Sequence, residues 1–168
     1  MVNRLSTDKR AQIIGALVEG NSIRATVRMT GAAKNTINKL LIEIGDAAYA
    51  YLDGAMNDLP CRHLELDEIW AFVGMKAKNV PDERRGEYGV GDVYTFTALC
   101  ADCKLVPSFL VGQRNGECTE LFARDLATRL RHRVQITTDG FKPYITAVPR
   151  GIPAARRRSR RVAQDVRL

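Results

Sequence analysis

One stretch constrains this chain more than any other. Residues 63–74, HLELDEIWAFVG, read as a single β-strand, yet Glu65, Asp67 and Glu68 sit in its middle. An unpaired carboxylate taken out of water costs several kcal/mol, on the order of 2–7 even for a neutral polar group. A strand with acids at its centre therefore either ends in water or is built around a partner for them. Asp67 shares a strand face with Ile69, Ala71 and Val73, so we expect it not to point freely into solvent.

The rest of the chain suggests how that strand is housed. Residues 93–101, VYTFTALCA, form a second expected strand, and LVPSFLVG, ending at Gly112, a third. The short connection between them, Asp102–Lys104, requires a hairpin. Residues 116–130 repeat apolar side chains at helical spacing through Leu121, Phe122, Leu126 and Leu130. VQITTDG (134–140) is a short strand and FKPYITAV (141–148) opens another helix. The expected order is β-β-β-α-β-α. The last strand returns across a helix, so it must lie parallel to a neighbour in a mixed sheet.

Before this lies a helical region, residues 7–51. Ser6 or Thr7 and then Ser22 are N-cap candidates, Gly20 can end the first helix, and Gly31 allows a tight turn. Ile37, Leu40, Leu41 and Ile44 mark the inner face of a third helix. Its outer face carries Lys34, Asn35, Asn38 and Lys39, and the shorter helix before it carries Arg24 and Arg28. Asn can pair bidentately with adenine and Lys or Arg can meet phosphate, so a helix-turn-helix DNA reader is expected at about residues 22–45. A plain three-helix packing unit would show the same polar face. The pattern breaks between Gly54 and Pro60, dividing the chain into 1–54, 62–148 and a tail, 149–168.

Charge follows that division. The net charge is +7. Residues 1–45 carry seven basic and three acidic residues, residues 46–149 twelve and fifteen, and residues 150–168 seven arginines against Asp165 alone. The first and last segments suit a polyanionic partner, and the tail is expected to lack regular structure. The apolar fraction of 45% suits a globular chain. No apolar run is long enough for a bilayer, and the first residues lack a signal-peptide core. A cytoplasmic protein with no membrane partner and with reduced cysteines is expected.

Two sets of residues carry possible chemistry. Asp67 lies on the first strand and Asp139 ends the fourth. If those strands are neighbours the carboxylates converge, and two like charges so placed favour a divalent cation between them. Asp-Gly after a strand is also a common turn. Cys100-x-x-Cys103 spans the hairpin turn and offers half a zinc site, completed only if Cys61, His63 or Cys118 converges. Two thiols in and near a turn are the commoner arrangement. Trp70 is expected in the core, and Glu65 and Glu68 as neighbours of Asp67. Lys76, Lys78, Arg84 and Arg85 in the loop 74–92 could touch DNA or simply be solvated.

Together, RLSTDKRAQIIGALVEGNSIRATVRMTG, LELDEIWAFVG, GDVYTFTALCADCKLVPSFLVGQR and LATRLRHRVQITTDG, across residues 2–148, resemble the transposases of the insertion sequence 1 (IS-one) family. The resemblance implies an α+β chain: an N-terminal helix-turn-helix that recognises terminal inverted repeats, then a ribonuclease H-like mixed sheet of the DDE type. It implies Asp67 and Asp139 as catalytic residues and ligands of Mg²⁺ or Mn²⁺. It implies double-stranded DNA, both transposon ends and target, as the partner, with self-association on DNA.

The third family carboxylate, a Glu on a later helix, has no counterpart, because no Glu follows Glu120. Glu117 or Glu120 could substitute, from the helix that supplies a carboxylate in ribonuclease H. Otherwise the ribonuclease H-like core is incomplete, truncated or frameshifted after Val148. The expected function is metal-dependent DNA strand cleavage and transfer, with this chain catalytically incomplete. The alternative is a non-enzymatic helix-turn-helix DNA-binding protein or an inhibitor of transposition.

Overall fold

The computed structural model describes residues 5–151, which fall into two compact units divided between Ala55 and Met56. The arginine-rich tail expected after residue 149 lies almost wholly outside the described residues. None of the described helices is long and apolar enough to cross a membrane.

The first unit is three helices, α1 (Thr7–Val18), α2 (Ile23–Thr30) and α3 (Lys34–Ala55). The Ser6 and Ser22 hydroxyls accept from the backbone N–H of Lys9 and Ala25, at 3.3 and 3.2 Å, and so start α1 and α2. Gly31, at φ 68°, ends α2 and donates to the Val27 carbonyl, a left-handed position that glycine fills without strain. Ile13, Ala32, Ile37 and Leu40 form the core. Thr26 and Thr30 are buried beside it, and their hydroxyls donate to the Ser22 and Thr26 carbonyls, so neither adds an unsatisfied group. Arg10 on α1 pairs with Glu43 on α3 at 2.9 Å.

The second unit is a four-stranded mixed sheet with two helices: β1 (His63–Val73), β2 (Gly91–Cys100), β3 (Ser108–Gly112), α4 (Gly116–Arg129), β4 (Gln135–Thr138) and α5 (Pro143–Gly151). The spatial order is β3-β2-β1-β4. β2 pairs antiparallel with both β1 and β3, and β4 pairs parallel with β1, as a strand returning by a helix must. Thus the chain is α+β, with five α-helices among the described residues and a mixed sheet.

The sheet has two unlike faces. Leu64 and Leu66 of β1 and Phe96, Ala98 and Cys100 of β2 pack with Phe122 and Leu126 of α4 and Tyr144 of α5. The Phe96 and Phe122 rings lie 5.8 Å apart. The opposite face is open: Ile69 is 60% exposed, and Val73, Phe109 and Val111 are exposed beside it. Asp67 lies on this open face, so the expectation that it is shielded does not hold. Trp70 is not core either, being 43% exposed, with the Lys76 ammonium 5.1 Å from its ring. The cause is reach: the helices cover the Leu64–Leu66 end of β1, and Trp70 lies beyond them.

Two contacts fix α4. A side chain at Gly112 would come within 2.7 Å of the Cys118 sulfur, so glycine there lets α4 lie close to β3. Asp125 accepts from the Arg129 guanidinium at 2.8 and 2.9 Å and from the buried Ser108 hydroxyl of β3. Burial works against charge on Asp125, but these donors outweigh it and hold its carboxyl below the usual range.

Because the folded value is lowered, this contribution is present above the unfolded pKa of about 3.9 and is lost as pH falls through the folded value. Asp125→Ala also removes a carboxylate to which the buried Arg129 guanidinium donates. We expect a loss of about 2 kcal/mol near neutral pH, scaled down from the fully buried case because Asp125 is partly exposed. The difference from the parent should shrink towards about pH 3. Urea unfolding of both proteins at the two pH values measures it.

Candidate functional site

β4 is only four residues long and pairs with His63–Leu66 at the start of β1. The last pair is Leu66 with Thr138, so Asp67 and Asp139 occupy the next position on each of two neighbouring parallel strands. Side chains alternate along β1, so Asp67 faces the open side and Glu68 faces the helices. The acids therefore gather where parallel pairing stops, at the carboxyl end of β4, a place where open sheets commonly leave a crevice.

Glu68 is the buried member. Its side chain is 2% exposed, and one oxygen, Oε2, accepts from Arg114 Nε at 2.9 Å. Arg114 Nη2 lies 3.5 Å from Asp139 Oδ2, and the guanidinium stacks 3.9 Å from the centre of the Phe141 ring. One cation thus faces a buried and an exposed carboxylate and is braced by an aromatic ring. Arg114 sits between β3 and α4, just before Asn115, whose side chain caps α4 by accepting from Cys118 N–H. The glycine contact that seats α4 and this cap together place the arginine.

The other oxygen, Glu68 Oε1, is buried with no hydrogen-bond partner, and so is the hydroxyl of Tyr144 on α5. The two groups lie near one another without the geometry of a formed bond. Tyr144 stays protonated: burial raises its pKa most, then the nearby Glu68, then the negative charges of Asp139 and Asp67. The hydroxyl is thus a neutral group within electrostatic reach of all three carboxylates.

Asp67 is exposed, with Oδ1 accepting from the Glu68 N–H at 2.8 Å. Asp139 Oδ1 accepts from the Phe141 N–H at 3.0 Å, an Asx-type turn completed by Gly140 at φ 90°. Glu117 is exposed in the first turn of α4, and Glu120 pairs with Arg124 at 2.6 Å. No bond from either reaches the acids. Glu68, expected only as a neighbour, is instead the most buried carboxylate of the group. Its parity on β1 with Leu64 and Leu66 was the available signal. Arg114 and Tyr144 were missed altogether.

Carboxylate oxygens are the donors Mg²⁺ and Mn²⁺ take, and Glu68 Oε1 is one without a partner. Asp67, Glu68 and Asp139 therefore fit such an ion by donor type. Their oxygens are not drawn into one tight cluster: among the described residues, the group whose ligand atoms all lie within 4.8 Å of one another is Cys61, Cys100 and Cys103.

In the first unit, Arg24 and Arg28 on α2 and Lys34, Asn35 and Lys39 on α3 are exposed. Asn38 is half-buried and its side-chain oxygen is buried without a partner, so it is the least available of the six residues expected to face DNA. In the 74–92 loop, Arg84 pairs with Glu87 at 2.6 Å and Arg85 with Asp82 at 3.0 Å. Those arginines are neutralised locally.

Comparison with protein-family models finds no match, and comparison with curated proteins finds none.

Removing Arg114 leaves the Glu68 charge buried and unpaired. Arg114→Ala should destabilise the chain by about 2–3 kcal/mol, and Glu68→Gln added to it should restore most of the loss. A double-mutant cycle by urea unfolding should give a coupling of about 2 kcal/mol. Strict additivity would mean that Arg114 and Glu68 do not depend on each other.

Proposed function

We propose that this chain is a DNA-processing protein of the transposase type its sequence resembles. In this reading the second unit holds a divalent-metal carboxylate site for DNA strand cleavage and transfer on a ribonuclease H-like sheet. The first unit grips DNA as a helix-turn-helix. The observation that carries the reading is that Asp67 and Asp139 take the next position on two neighbouring parallel strands, where Arg114 contacts Asp139 and Glu68.

Asp67 and Asp139, at the next position on two neighbouring parallel strands, would hold Mg²⁺ or Mn²⁺, while Glu68, buried on the helical face with Arg114, would set the charge behind them. When bound, the metal supplies charge neutralisation and a more acidic water, the chemistry of phosphodiester attack. Arg114, held by Glu68 through Nε and partly exposed, would meet a phosphate oxygen with its remaining N–H groups. Tyr144, kept protonated, offers a hydrogen-bond donor beside Glu68. Arg24, Arg28, Lys34 and Lys39 meet backbone phosphates, and Asn35 is the base-reading candidate.

A second reading has an observation of its own. Arg114 already neutralises Glu68 and contacts Asp139. With Glu68 paired, the two carboxylates that remain, Asp67 and Asp139, are exposed and can be solvated without a metal, and the chain would then bind DNA without cutting it, as a repressor or an inhibitor of transposition does.

Nicking of supercoiled plasmid in Mn²⁺, run beside duplex binding by fluorescence anisotropy, separates the two. We expect Mn²⁺-dependent nicking that falls at least about a hundredfold in Asp67→Asn and in Asp139→Asn, the scale of losing a positioned catalytic group. DNA binding should remain. Nicking that survives both substitutions overturns the assignment, and binding with no nicking leaves the second reading. Lys34→Ala and Arg28→Ala should each lower the slope of log affinity against log salt by about 1.

A further inference from the structure

We propose that Cys61, Cys100 and Cys103 form a binding site for one soft divalent cation of the zinc class, with three thiolate ligands and a fourth position open to solvent. The site is independent of the carboxylates and of the DNA reading.

The fold brings two separate pieces of chain together here. Cys61 precedes β1, Cys100 is the last residue of β2, and Cys103 lies in the turn that follows. The register of β1 with β2 pairs Leu64 with Cys100, which sets the approach to β1 beside the end of β2. The turn is closed by Lys104 N–H on the Cys100 carbonyl and by Cys100 N–H on the Leu105 carbonyl, both at 2.8 Å, with Lys104 at φ 62°. Ala101 N–H on the His63 carbonyl, at 3.0 Å, ties it to the start of β1.

As a result the three sulfurs lie within 4.8 Å of one another, and all are free thiols. Tetrahedral Zn–S bonds of about 2.3 Å require sulfurs roughly 3.8 Å apart. The cluster therefore needs to close by no more than about 1 Å, within side-chain rotation. One further feature suits an ion. Cys61 and Cys100 are buried while Cys103 is exposed, giving an enclosed site with one entrance. Thiolate donors select zinc-class ions over Mg²⁺ or Mn²⁺. The fourth cysteine, Cys118, sits on α4 against Gly112, outside the cluster, and is an internal control.

The test is titration of the reduced full chain with Cd²⁺, read by thiolate-to-metal charge transfer in the ultraviolet, and with Zn²⁺ against a chromophoric chelator. We expect one equivalent bound and the exposed Cys103 protected from a thiol reagent by the metal. Cys103→Ser, an exposed change whose metal-free melt should match the parent, should weaken Zn²⁺ at least about tenfold through loss of one ligand. Cys118→Ser should change nothing. The proposal is overturned if stoichiometric Cd²⁺ gives no charge-transfer band. It is equally overturned if Cys118→Ser costs as much as Cys103→Ser, or if Zn²⁺ leaves Cys103 as reactive as in the metal-free chain.

Discussion

A carboxylate with 2% of its side chain exposed must be matched by a cation, and much of the second unit is arranged so that Glu68 is. Arg114 is that cation. Its position depends on Gly112, which lets α4 approach β3, and on Asn115, which starts α4 immediately after it. Phe141, just past the end of β4, gives the guanidinium a face to rest on. Elements from β1, the β3–α4 connection and the β4–α5 connection thus meet on one charge. A desolvated pair of this kind adds little net stability beyond an apolar contact of similar size, but half of it alone is costly. Its presence is better understood as specifying geometry than as adding strength.

That geometry bears on chemistry through the alternation of β1. Adjacent residues on a strand face opposite ways, so Asp67 and Glu68 cannot both point to the covered side. Asp67 takes the open face and Glu68 the helical face. The early end of β4 leaves both near Asp139. Tyr144, raised by burial and by all three carboxylates, remains a neutral donor among them.

The fold class and element order were legible because periodicity changes sharply along the chain, from helical spacing to alternation and back. That the last strand lies parallel to a neighbour followed from its helical crossover, whereas β1 as that neighbour was a condition the sequence left open. Two readings failed for one reason. Trp70 and the Asp67 face were judged from residue type and alternation, which do not say how far the covering helices reach. Glu68 was underrated because a charged residue in a strand suggests solvent, whereas its parity with Leu64 and Leu66 pointed inward. Arg114 was illegible because an arginine in a polar loop carries no pattern, and its partners are 46 and 25 residues away. The convergence of Cys61 on the Cys100–Cys103 turn required the register of β1 on β2, which spacing does not supply.

The claim that the carboxylates at the end of β4 form a site for a hard divalent cation is tested most directly by paramagnetic broadening of backbone amide resonances with Mn²⁺. Selective broadening is expected at residues around Asp67 and Asp139, reversed by excess Mg²⁺ and lost in Asp67→Asn/Asp139→Asn. Broadening absent from these residues, or unchanged in the double variant, would contradict it.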